Sequence, residues 1–213
     1  MTITATQICN LALIEIGAAT LTSFESDQTK EGKIARIIFH PCRRLALAHC
    51  GWNGAKKSAQ LTQMEVTTPT FWTYAYEVPD DCVRILSIHA ADDLYTVVPY
   101  ELQYQTAGSA ADETEYAVLA NSNKLYIRYI WDQQDLGAMS PGFHDVFSFE
   151  LARKFAGALA KSEAAKELPD KQLRRRLTIA KAIDGQEEYP ERLAEGSWQS
   201  SRFGRYSEQR YSS

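Results

Sequence analysis

The sequence predicts an α+β protein: a helical bundle built from both chain ends, a small antiparallel β-sheet domain inserted into it, and an extended C-terminal arm. Three observations carry this. Apolar residues recur at helical spacing through residues 1–55 and again through 132–189. Across 56–131 the pattern switches to alternation and to short aromatic or β-branched runs. From 190 to 213 the composition changes again, to Arg and aromatic residues with no aliphatic period.

Thr4 or Thr6 can cap the first helix, and Gly17 supplies its left-handed stop. Ile8, Leu11 and Ala12 form one apolar stripe with Cys9, Leu13 and Ile16 beside it, which predicts a helix buried on most sides. Ser26 and Asp27 are the expected N-caps of the second helix. Its core positions are read as Ile34, Ile37, Ile38, Leu45 and Ala48. Pro41 removes a donor and crowds the carbonyl of Ile37, predicting a kink rather than a break because the apolar period resumes in phase. Gly51 ends the helix, and Trp52 folds back onto the core.

The strand region opens with Leu61, Met64 and Val66 in a Thr- and Gln-rich run. Tyr74, Tyr76 and Val78 alternate with Ala75 and Glu77 as in a half-buried strand. Pro79 stops that strand, Asp80 and Asp81 supply turn chemistry, and Val83, Ile85 and Ile88 resume as a second strand. Tyr95 to Tyr100 predicts a short strand, with Pro99 at an edge or an end. Gln103 to Glu115 reads as an exposed loop. The runs 116–119 and 125–130 flank Asn121-Ser122-Asn123, which predicts a hairpin whose turn tolerates positive φ.

Ser140-Pro141 caps the next helix, whose core face is read as Val146, Phe147, Leu151, Phe155, Ala158 and Leu159. The small residues Ala152, Ala156, Gly157 and Ala160 let helices approach closely. Pro169-Asp170 is expected to restart a last helix carrying Leu173, Leu177, Ala180 and Ile183. Lys171 and Arg174 to Arg176 read as its solvated face.

The tail sets Trp198, Phe203, Tyr206 and Tyr211 among Arg202, Arg205 and Arg210. Disordered segments are normally poor in aromatics, whereas interfaces are rich in aromatics and arginine. Those seven residues are the candidate partner-binding set, and the expected partner is protein. Single-stranded nucleic acid, whose bases stack on aromatic rings, is the alternative.

At 213 residues the chain can form one core or two lobes, and 45% hydrophobic with 23% charged residues is ordinary globular composition. A net charge of -4 argues against tight sequence-independent DNA binding. No apolar run of about 18 residues predicts a membrane span, and Met1 to Thr4 lacks a secretory pattern. Cys9, Cys42, Cys50 and Cys82 have no C-x-x-C pairing and read as buried free thiols in a reducing compartment.

His40, Cys42, His49 and Cys50 invite a zinc reading, but Cys42 and His49 share a helix face that His40 does not. Cys82 is a poor nucleophile beside Asp80 and Asp81, which raise rather than lower its pKa. His144 with Asp145 and Glu150 reads as a surface cluster. There is no Walker loop, no G-x-G-x-x-G and no H-E-x-x-H, so neither a cofactor nor an enzymatic activity is expected.

The run from Tyr74 through Pro79-Asp80-Asp81-Cys82 to Arg84 resembles a signature of phage head-to-tail adaptors of the tail tubular protein A type. Cys9 to Gly17 followed by Leu21 to Phe24, Arg43-Arg44-Leu45 leading to Gly51-Trp52, and the aromatic helix from Phe143 to Leu159 are similar to the same family. Together they cover most of the chain before Tyr189. The resemblance implies a structural virion protein forming a ring, of roughly a dozen subunits, between portal and tail. Its implied partners are other copies of itself, the portal, the next tail protein, and genomic DNA passing through the lumen without tight binding. An adaptor or stopper of a long-tailed phage neck is the alternative. More distant ones are a nucleic-acid-binding accessory protein and a small phage enzyme using Cys82.

Overall fold

Thr4 opens the first helix with a capping box: its side chain accepts from the Gln7 amide, and the Gln7 side chain accepts from the Thr4 amide. In the computed structural model, which describes residues 3–65, 71–90, 93–106, 114–159 and 163–186, this helix is α1 (Ala5–Glu15). Gly17 stops it with φ 68°, the left-handed region where a side chain is strained. Three more helices follow: α2 (Lys30–His49), α3 (Pro141–Leu159) and α4 (Glu163–Gln186). Between α2 and α3 the described residues form eight strands, so the class is α+β as the sequence predicts.

α3 is the axis of the helical part, and α1, α2 and α4 each pack on it. Every residue from Val146 to Ala152 is buried, about two turns with no solvent side. Phe39 of α2 meets Phe147 edge-on at 5.1 Å, and Trp52 meets Phe143 at 5.4 Å. Trp52 does fold back, donating its indole N–H to the Ala46 carbonyl at 2.8 Å. Ser140 accepts from the Phe143 amide and Pro141 is the first residue of α3, as the sequence indicates.

The strands form two antiparallel four-stranded sheets rather than one. The first has the order β1 (Lys56–Gln60), β8 (Leu125–Trp131), β4 (Cys82–Ala90), β5 (Asp93–Val97). The second is β2 (Gln63–Met64), β3 (Tyr74–Glu77), β7 (Thr114–Ala120), β6 (Glu101–Thr106). Tyr76, Val118 and Ala120 of one sheet share a buried cluster with Ile88, Leu125, Ile127 and Tyr129 of the other. β8 joins the two cores, because Ile130 belongs instead to the helical cluster. Pro99 lies between β5 and β6, both edge strands, where its missing donor is harmless.

Several expectations are corrected. The cap of α2 is Thr29, not Ser26 or Asp27; Asp27 instead ties the preceding loop, accepting from the amides and hydroxyls of Thr22 and Thr29. Gly32 is needed there, since a Cβ would come 2.7 Å from the Asp27 carbonyl oxygen. The strands β7 and β8 do not form a hairpin. Asn121 accepts from Thr73, Tyr76 donates to the Ser122 carbonyl, and the turn carries the chain from one sheet to the other without positive φ. Gln103 to Glu115 is not one loop: Gln103–Thr106 lies in β6 and Thr114–Glu115 in β7, while 107–113 falls outside the described residues.

α4 begins at Glu163 and runs through Pro169 instead of restarting there. The stretch before the proline, Glu163-Ala164-Ala165-Lys166-Glu167-Leu168, is made of strong helix formers, and that outweighs one lost bond. α2 likewise continues through Pro41. Apolar positions assigned to the core are exposed on three helices: Leu11 on α1, Ile37 and Leu45 on α2, and Ile183 on α4. Ala158 is exposed too. Val66 and the arm from 190 to 213 lie outside the described residues.

Candidate functional site

The seven arm residues, Trp198, Arg202, Phe203, Arg205, Tyr206, Arg210 and Tyr211, lie outside the described residues. What the structure brings together is a charged joint between helices and strands. Arg43, 4% exposed on α2, pairs with Asp132 at 2.9 Å, and Arg44 reaches the other Asp132 oxygen at 3.2 Å. The Asp132 amide donates to the Asp81 carbonyl at 2.8 Å. The Asp81 carboxylate accepts from Lys57 at 2.7 Å and from the Tyr129 hydroxyl at 2.9 Å. Arg84 of β4 donates to the Ala48 carbonyl near the end of α2 at 3.1 Å.

Burial pushes the Asp81 carboxyl up, but hydrogen bonds from Lys57 and Tyr129 outweigh it and leave the pKa below the ordinary value. Lys57 is raised by its bond to Asp81, and Tyr129 is raised by burial and then by Asp81. Each group is therefore held in its usual charge state at neutral pH. Such a network fastens elements together; it is not poised to move protons. The sequence showed Asp81 only as a turn residue, because Lys57 and Tyr129 lie 24 and 48 residues away.

A second network, centred on one buried carboxylate, lies in the helices. Glu150 is 1% exposed, with one carboxylate oxygen 2.6 Å from His49 Nε2 and the other accepting from Arg153 at 2.8 Å. This corrects the surface cluster: His144 bonds the Leu136 carbonyl, Asp145 pairs with Arg176, and Glu150 points inward. Both Glu150 oxygens have partners within the fold, as a buried carboxylate requires. Arg176 lies over Phe149 while Arg174 and Arg175 face solvent, so the basic run of α4 is largely a solvated face.

All four cysteines are free. Burial pushes the Cys82 thiol up to about 11, with Asp81 adding to it, and pushes Cys9 up to about 12. His40 is exposed while Cys42 is buried with its thiol toward the Glu150 carbonyl. Among the described residues, no group of three or more His, Cys, Asp or Glu side chains is placed to hold a metal ion. Among the same residues no helix is long and apolar enough to cross a membrane.

Surface apolar groups remain as the third candidate. Leu11 and Ile14 project from α1, Ile37 and Leu45 from α2, and Ile179 and Ile183 from α4. In the strand region Tyr104 and Tyr116 are register partners on β6 and β7, with ring centroids 5.1 Å apart and both rings exposed. Comparison of the sequence with family models and with curated proteins finds no match.

Proposed function

We propose that this chain is a structural virion protein, a head-to-tail adaptor of the tail tubular protein A kind, forming a ring between portal and tail. The observation that carries this reading is the run from Tyr74 to Arg84, taken with the order of the other segments similar to that family. Its residues have a use in such a part: Asp81 ties the turn before β4 to β1 and β8, Arg84 ties β4 to the end of α2, and Tyr76 holds the turn after β7. Apolar groups left uncovered on three helices support a chain made for assembly. In this reading residues 1–55 and 132–189 form the body of the subunit, 56–131 an inserted domain, and 190–213 an arm that docks on the portal or a neighbouring subunit.

Electron micrographs of the purified protein, alone and with its portal protein, test the reading; rings on the portal are expected, and their absence in both samples overturns it. Because the net charge is -4, DNA should pass the lumen without being gripped. Nanomolar binding to duplex at physiological salt would favour a nucleic-acid accessory role instead. Deleting residues 196–213 should leave a folded subunit that no longer attaches stably, with Trp198 and Phe203 as the principal anchors. Undiminished attachment by the truncated chain would remove the arm from the mechanism.

A further inference from the structure

α2 carries two apolar faces. One, through Ala35, Phe39, Cys42 and Ala46, is buried in the helical core. The other is a ridge at i, i+4 and i+8 formed by Ile37, Pro41 and Leu45, with Ile37 73% exposed and Leu45 41%. Packing among the described residues accounts for the first face and not the second. Lys30 and Lys33 border the ridge, as does Arg44, whose guanidinium also meets Asp132, and Glu31 is the single acid of the helix.

α1 offers a complementary face. Leu11 and Ile14 are 46% and 61% exposed, Glu15 is exposed beside them, and α1 contains no basic residue. The exposed pair on α4, Ile179 and Ile183, fits the α2 ridge less well, because Arg174, Arg175 and Lys181 give that helix the same sign as α2.

We infer that the α2 ridge of one subunit seats against the exposed α1 face of a second copy. Ile37 and Leu45 lie against Leu11 and Ile14, and Glu15 faces the Lys30–Lys33 border. The inference rests on the adaptor reading and names the contact that the reading requires. Where each subunit gives its ridge to one neighbour and its α1 face to another, the contact is heterologous, and repeating it makes a ring when the rotation closes.

The test uses two full-length variants, Ile37→Asp and Ile14→Asp, with assembly followed by light scattering and micrographs, with and without portal. Each substitution replaces an apolar contact by a carboxylate that must lose water to enter the interface, weakening it by about 100-fold. Neither variant should assemble alone. Mixed at equal amounts they should give a 1:1 dimer and nothing larger, since one retains a good α1 face and the other a good α2 ridge. Circular dichroism establishes that both are folded; if either is not, Ile37→Ser and Ile14→Ser replace them. A variant that forms rings alone, or a mixture that stays monomeric or grows beyond dimers, overturns the contact. Rings from wild type and variants alike sink the contact and leave the adaptor reading standing. A wild type that never assembles, even with portal, sinks both.

Discussion

α2 and α3 lie against each other and are nearly equal in length, 20 and 19 residues, yet they dispose of their apolar side chains differently. α3 is enclosed by three helices, and its stretch from Val146 to Ala152 has no exposed residue. α2 buries Ala35, Phe39, Cys42 and Ala46 but leaves Ile37 and Leu45 in solvent. The charges divide less cleanly, since Arg43 of α2 is buried against Asp132. α3 encloses Glu150 between His49 and Arg153, while α2 places Lys30 and Lys33 outward. One helix is shaped by the subunit's own core. The other has a face that the described residues leave uncovered.

Substitutions can break or sharpen this contrast. The largest effect is expected for Phe147→Ala, which empties a fully buried site against Phe39 and Phe143 and should cost about 3–5 kcal/mol in chemical denaturation. Glu150→Ala comes next, at about 2 kcal/mol, because it strips His49 and Arg153 of their partner. Both partners are about a third exposed, so water relieves part of that loss. A cost near zero would mean that the network is ornamental to the fold.

Asp27, which ties down the loop entering α2, gives a pH-dependent effect. Hydrogen bonds led by the Thr29 hydroxyl, with the Thr29 and Thr22 amides, lower its pKa from 3.8 to about 2. The folded state thus favours the carboxylate, and the stability it contributes is present above pH 3.8 and lost as pH falls toward 2. Asp27→Asn should flatten the unfolding curve across that window, and an unchanged slope would contradict the bonding. The smallest effect is expected for Ile37→Asp, within about 0.5 kcal/mol of wild type in the monomer. A loss comparable to Phe147→Ala would show that the α2 ridge is covered within the subunit.

The class of fold was legible because periodicity survives in the sequence. Thr4, Gly17 and Ser140-Pro141 announce their helix ends through local chemistry alone. The division of α2 was not legible as a single stripe, since Ile34 and Ile37 look as apolar as Ala35 and Phe39. Counting both sides of the helix would have exposed a second ridge. The pairing of Arg43 with Asp132 spans 89 residues, a contact that only tertiary structure creates. The split of β7 and β8 between sheets was hidden for a related reason. Asn121 and Ser122 suit a hairpin turn, but their decisive bonds go to Thr73 and Tyr76, nearly fifty residues back.

The β1–β8 ladder has a consequence for how the chain reaches its fold. Lys56 and Ile130 are register partners, so the chain enters and leaves the strand region side by side. Once that ladder has zipped, the segment joining α2 to α3 behaves as a short tether instead of one of some ninety residues. By loop-closure entropy this eases the docking of α3 on α2 by about 1–2 kcal/mol. The cost is that β1 must wait for β8 to be made, and pairings this distant in sequence form slowly. During synthesis the first two helices would emerge and remain without their central partner until the strands have closed behind them.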